Sequence, residues 1–168
     1  MKERLLECEM LIAPSRFYAG VMSKRLGISQ EKIEVLPNGI NLEGYGRQPS
    51  EGPEAIGYLS RMCRDKGLGD MVDAYILFQS KGNFPECRLK LAGSCPPGDE
   101  PFVKEQKQKI ETAGLSHLVD WRPNVSREEK VRFLGSLTIF SAPMRYAEAL
   151  GLCLVEAMAS GVPVVNPG

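Results

Sequence analysis

The chain has 168 residues, 43% hydrophobic and 25% charged, an ordinary globular mixture long enough to bury a core. Lysine plus arginine balances aspartate plus glutamate at 21 each, which argues against a nucleic-acid partner yet leaves room for one local phosphate site. Five cysteines, at 8, 63, 87, 95 and 153, form no C-x-x-C pair, and the single histidine, His117, rules out a multi-histidine metal site.

An odd set of unpaired-looking thiols suits a reducing compartment. No apolar run approaches the roughly 20 residues that cross a bilayer. The first 15 residues, "MKERLLECEMLIAPS", contain no long apolar segment of the signal-peptide kind. The expectation is a cytoplasmic protein.

In chain order, "MLIAPS" (10–15) reads as a strand ending in a polar turn. "RFYAGVMSKRLG" (16–27) reads as a helix stopped by Gly27. "KIEVLPNGI" (32–40) is a short strand broken by Pro37-Asn38-Gly39. Residues 42–54 are rich in Gly, Pro and polar side chains, lack periodicity, and read as a linker.

A second block starts with the strand "AIGYLS" (55–60). The helix after it repeats apolar residues at Leu68, Met71, Val72, Tyr75 and Phe78, one face at helical spacing. "RLKLAG" (88–93) is a strand, and "PFVKEQKQKIETAG" (101–114) a helix opening on Pro101. "LVDWRP" (118–123) is a strand; "SREEKVRFLG" (126–135) is a helix whose Ser126 and Glu129 form a capping box. "LTIFSAP" (137–143) is a strand, then a helix starts near Leu150 or Gly151, then "PVV" (163–165) closes the pattern as a strand. Strands alternating with helices at this spacing define an α/β protein: a Rossmann-like parallel sheet with helices on both faces. Such sheets bind ligands in the loops at the carboxyl ends of their strands.

Two of those loops carry candidate chemistry. After "AIGYLS" come Arg61-Met62-Cys63-Arg64-Asp65-Lys66-Gly67, cations at a strand exit just before a helix. Free N–H groups and the dipole at a helix start favour anions, and Arg and Lys would strengthen a pyrophosphate clamp there. A solvated basic turn is the alternative. The loop "LAGSCPPGDE" (91–100) has glycines that admit a close ligand, but Pro96-Pro97 removes two N–H donors. Neither G-x-G-x-x-G nor G-x-x-x-x-G-K-[ST] occurs, so classical NAD binding and P-loop hydrolysis lack support.

In "MRYAEALGLCLVEAMASGVPVV" (144–165), Glu148 lies at a strand exit and Glu156 inside the next helix. Eight residues at ~1.5 Å rise separate the carboxylates by roughly 12 Å. That exceeds the ~5–9.5 Å of paired glycosidase carboxylates, so they do not read as two groups acting on one bond. They could hold two ends of an elongated ligand. The alternative is a half-buried Glu156 paired with a nearby Lys or Arg, and Glu148 as an exposed cap.

These stretches together resemble a known family. "EALGLCLVEAMASGVPVV" is similar to the E-x-F-G-L-x-x-x-E-A-M-A-x-G-x-P-V-V signature of retaining glycosyltransferases of family 4, which have the two-domain GT-B architecture. "YLSRMCRDKGLGDMVDAY" resembles the family's R-x-x-x-x-K-G stretch, and "WRPNVSREEKVRFL" its base-side loop and helix. "KIEVLPNGINLEGY" resembles the segment that closes the N-terminal domain and enters the linker. Leu150 stands where the family often has Phe, and Pro123 where Gly is common.

The resemblance implies roles residue by residue. Arg61 and Lys66 would bind the donor's diphosphate and stabilise charge as it leaves. Glu156 would hold the donor ribose, and Glu148 the donor sugar near the reaction centre. Backbone N–H groups around Leu150, Gly151 and Leu152 would complete the diphosphate and sugar contacts. No metal or other cofactor is implied; the nucleoside diphosphate sugar is a substrate, and the acceptor is a sugar or a lipid-linked group. Residues 1–41 would be the tail of the acceptor domain, 42–54 the linker, and 55–168 a C-terminally incomplete donor-binding domain. Such a piece would bind the donor but be inactive alone. Any association with the cytoplasmic face of a membrane would run through the N-terminal domain. Two alternatives stay open: a GT-B nucleotide-sugar epimerase and a non-catalytic Rossmann-like module.

Overall fold

The computed structural model describes residues 4–5, 7–48, 52–145 and 151–165. The chain divides into two compact units, Met1–Asn41 with Glu148–Gly151, and Leu42–Ala147 with Leu152–Gly168.

In the first unit, strands β1 (Leu11–Ala13) and β2 (Ile33–Val35) pair in parallel, Leu11 opposite Ile33 and Ala13 opposite Val35. Helix α1 (Arg16–Leu26) crosses between them. It starts where the Ser15 hydroxyl accepts from the Tyr18 amide at 3.1 Å and stops where Gly27 turns left-handed. Ala13, Ala19, Ile28 and Ile33 form its small core. The strand expected over 32–40 is only three residues long, because Pro37 cannot continue a ladder.

The second unit is a four-stranded parallel sheet in the order β5-β4-β3-β6, from β3 (Ala55–Leu59), β4 (Arg88–Gly93), β5 (Val119–Pro123) and β6 (Ile139–Phe140). The register runs Ala55 to Leu59 against Arg88 to Ala92, and Leu89 to Gly93 against Val119 to Pro123. Ile56 and Gly57 pair with Ile139 and Phe140 on the other side. The expected strand at 163–165 is a single parallel bridge from Val164 to Phe140.

Helices α2 (Leu68–Ser80) and α3 (Glu100–Thr112) pack together, as do α4 (Arg127–Gly135) and α5 (Leu152–Ala159). Right-handed crossovers from β3 through β4 to β5, then back to β6, put the two pairs on opposite faces. Strands covered on both faces need apolar residues throughout, and Tyr58, Leu89, Leu91 and Phe140 are fully buried. Each such side chain stabilises the fold by roughly 1.5–3 kcal/mol. The predicted capping box is present: the Ser126 hydroxyl accepts from the Glu129 amide and the Glu129 carboxylate accepts from the Ser126 amide.

The chain winds outward from β3 and then returns to lay β6 on its opposite side. That reversal makes the carboxyl ends of β3 and β6 the sheet's switch point, the place where open α/β sheets take their ligands.

Candidate functional site

Two glycines bring the rim loops into contact. Gly67 has φ +75°, and a Cβ there would sit 1.7 Å from the Pro143 carbonyl oxygen. Gly93 has φ +140°, and its Cβ would sit 1.7 Å from the Ser60 carbonyl oxygen. Only glycine permits both the backbone angle and the approach. The loop after β3 is thereby packed against the loop after β6 on one side and the loop after β4 on the other. The Arg145 amide adds a 3.2 Å bond to the Asp65 carbonyl.

Arg61 and Lys66 share one turn. The buried Tyr58 hydroxyl lies 3.1 Å from the carbonyl oxygens of both and donates to them, fixing the turn's two ends. The Arg61 guanidinium forks onto Asp99, Nε to Oδ2 at 2.6 Å and Nη2 to Oδ1 at 3.3 Å. Arg61 is 55% exposed and Asp99 14% exposed, so the cation keeps an open face. Lys66 is half-buried. Arg145 forks in the same way onto Asp70 in the first turn of α2, with both bonds at 2.6 Å. That pair ties the loop after β6 to the helix that follows Lys66.

Glu156 lies on α5, and its Oε1 accepts from the Tyr45 hydroxyl at 2.8 Å and from the Lys130 ammonium at 2.5 Å. Lys130 comes from α4 and Tyr45 from the segment before β3. Burial disfavours the Lys130 charge, but the Glu156 carboxylate more than offsets it and the pKa is raised. Burial first, and then the Glu156 carboxylate, also raise the Tyr45 pKa. Residues 42–48 therefore do more than connect. Arg47 Nη1 donates to the Leu137 carbonyl at 2.9 Å, and the Gln48 amide to the Gly135 carbonyl at 3.0 Å, so this aperiodic run is anchored on the sheet unit.

Of the residues singled out in the sequence, Arg61 and Lys66 fall on one rim turn and Glu156 on α5. Leu152 is the first residue of α5, and Gly151, just before it, has φ +68°. Glu148 and Leu150 lie outside the described residues. Arg61 forms its ion pair with Asp99 rather than with Glu156. Asp99, Tyr45, Lys130 and Arg145 escaped the sequence reading. Their only signal was charge or a hydroxyl in a loop or helix next to a candidate loop, which many surface residues share. Asn124, with φ 57°, also joins the rim: its amide donates to the Gly93 carbonyl at 2.7 Å and its Oδ1 accepts from the Cys95 amide at 2.8 Å. Among the described residues, no three His, Cys, Asp or Glu side chains gather as a metal site requires, and no helix is long and apolar enough to cross a membrane.

A doubly wound parallel sheet with cations at its switch point defines an α/β nucleotide-binding type of domain. More specifically, the model of the family "Glycosyl transferases group 1" matches residues 46–166, and the chain belongs to that family. The mannosylfructose-phosphate synthase of Agrobacterium fabrum is 25% identical over 173 aligned positions, covering 94% of this chain and 37% of the relative. Thus the chain spans well under half of that relative's length. The structure of HepE from Anabaena with UDP and glucose superposes with a TM-score of 0.80 at 23% identity, over 95% of this chain and 44% of that one. The C-terminal domain of the group 1 glycosyl transferase LpcC from Francisella tularensis matches with a TM-score of 0.67 at 24% identity, covering 76% of this chain and 70% of that one. The fold is that of a GT-B glycosyltransferase domain.

Proposed function

We propose that the whole protein is a retaining glycosyltransferase, moving a hexose from a nucleoside diphosphate sugar to a sugar or lipid-linked acceptor. This chain carries the donor-binding part and transfers nothing alone. Residues 1–41 belong to the acceptor domain. Arg61 and Lys66 bind the diphosphate, Glu156 the ribose, and Glu148 the donor sugar. Backbone amides near Leu150, Gly151 and Leu152 complete the donor contacts.

The observation that carries this reading is the cationic turn at the sheet's switch point, pressed onto the loop after β6 through Gly67 and Pro143. Leaving diphosphate accumulates negative charge, and fixed cations beside a helix start stabilise it without reorganising. Arg61 keeps its Nη1 for an incoming phosphate while Nε and Nη2 hold Asp99. HepE, whose structure contains UDP, has the same fold and supports a uridine or related nucleotide as the ligand class. The cations take the place of a metal in this scheme, so chelator should leave binding unchanged.

Calorimetric titration with UDP, GDP and ADP, with and without EDTA, is the test. Saturable binding of at least one, indifferent to EDTA, is expected. A chain shown folded by circular dichroism that binds none of the three rules out the donor site.

A further inference from the structure

Both donors to Glu156 end on the same oxygen. Tyr45 and Lys130 donate to Oε1, and no described hydrogen bond ends on Oε2. Oε2 is not sealed away either, since the buried side-chain oxygen left without a partner among the described residues is Gln106 Oε1. A carboxylate has about four acceptor positions, two on each oxygen. Two are filled at Oε1, and Oε2 retains two, the number a vicinal diol's two hydroxyls can use. The Glu156 side chain is only 14% exposed, so most of it is packed against the protein while Oε2 keeps its acceptor positions.

We propose that Tyr45 and Lys130 are positioning residues: they pin Glu156 by Oε1 so that Oε2 accepts the 2′- and 3′-hydroxyls of a ribonucleoside diphosphate, and this sets the preference for ribose over deoxyribose. The proposal rests on the reading of Glu156 as the ribose contact. Two donors from different elements fix the carboxylate's rotation about its last bond. One donor alone would leave it free to turn. Lys130 supplies charge and reach from α4, and Tyr45 supplies direction from the anchored 42–48 segment. Neither touches the ligand in this scheme. Their effect is confined to the sugar of the nucleoside and leaves the diphosphate clamp alone.

The test compares wild type, Tyr45→Phe, Lys130→Met and Lys130→Arg by titration with UDP, GDP and ADP, their 2′,3′-dideoxy counterparts and inorganic pyrophosphate. Wild type should favour the ribonucleotide over its dideoxy form by roughly 10-fold or more, the factor a charge-assisted hydrogen bond brings. In Lys130→Met that ratio should fall to within about twofold of unity, in Tyr45→Phe by about threefold, and Lys130→Arg should restore part of it. Pyrophosphate affinity should stay within about twofold throughout, which a general loss of structure would not permit. Tyr45→Phe removes one oxygen, and it decides the matter should Lys130→Met fail to fold. A ribose preference unchanged in both variants overturns the proposal while the donor site stands. Wild type that binds no nucleoside diphosphate overturns the donor site and the proposal together.

Discussion

Two ion pairs of similar length sit in this domain, each on a carboxylate 14% exposed, and differ in how open the cation is. Arg61–Asp99 measures 2.6 Å with its cation 55% exposed, whereas Lys130–Glu156 measures 2.5 Å with side chains 27% and 14% exposed. In the first pair the open partner is the cation, held at the rim where an anion can reach it. In the second neither partner is open to that degree, and the carboxylate keeps one oxygen without a donor among the described residues. Exposed pairs are screened and exchange partners easily. Removing one member of a half-buried pair leaves the other desolvated without a partner, at a cost of about 1–3 kcal/mol. One pair leaves part of its cation free to share with a ligand, the other stays in place while a ligand binds beside it.

The sharpest way to break that contrast is to remove the cations. Arg61→Ala combined with Lys66→Ala should weaken nucleoside diphosphate binding roughly 100-fold, two charge-assisted contacts at about tenfold each. Thermal stability should fall modestly, because Asp99, 14% exposed, loses its partner with Arg61. Calorimetry and a melting curve check the two halves. Full affinity in the double variant would mean that the phosphate binds elsewhere.

A smaller effect tests whether Asp99 competes with the ligand or assists it. Its carboxylate occupies two of the Arg61 donors. An incoming diphosphate must share the guanidinium with a like charge, which costs Coulomb energy. Asp99→Asn should therefore tighten UDP binding about threefold at low salt, and the gain should shrink above 0.3 M NaCl as screening increases, on the order of a Debye length of 5 Å. Weaker binding in this variant would make Asp99 a residue that orients Arg61 for its ligand.

These contrasts also mark what the sequence could disclose. The parallel α/β fold was legible because a 3.6-residue apolar period, as at Leu68, Met71, Val72 and Tyr75, and short buried strands leave a local record. The capping box at Ser126 and Glu129 was legible for the same reason. Arg61 and Lys66 stood out because a cationic turn at a strand exit has a mechanism attached to it. The partners did not stand out. Asp99 lies 38 positions from Arg61, and Tyr45 lies 111 positions from Glu156. Such pairs are written by strand order, and no local period encodes them. A half-buried Glu156 with a lysine was one reading open from the sequence. The sequence did not say which lysine, nor that a tyrosine from a supposed linker would join it. Strand ends were overestimated at 32–40 and 137–143 because apolar content continues past the last ladder bond. Leu137 is buried at 1% exposure and yet lies outside β6.

The smallest expected effect comes from a third pair, which sets the rim loops rather than the ligand. Arg145 lowers the Asp70 pKa through its forked hydrogen bond, with partial burial acting the other way. A carboxyl whose folded value lies below its unfolded value, ~3.9, stabilises the fold above that unfolded value. The contribution is lost as pH falls through the folded value. Wild type should therefore melt higher than Asp70→Asn at pH 7, with the difference shrinking as pH falls through the folded value. Side chains 61% and 39% exposed keep the difference small, no more than about 3 °C, and salt should reduce it further. A difference that persists undiminished at pH 2 would assign the effect to the start of α2 rather than to the pair. Convergence would assign the effect to the Asp70 charge, and an equal loss in Arg145→Gln would identify Arg145–Asp70 as a charge latch that holds the loop after β6 against the cationic turn.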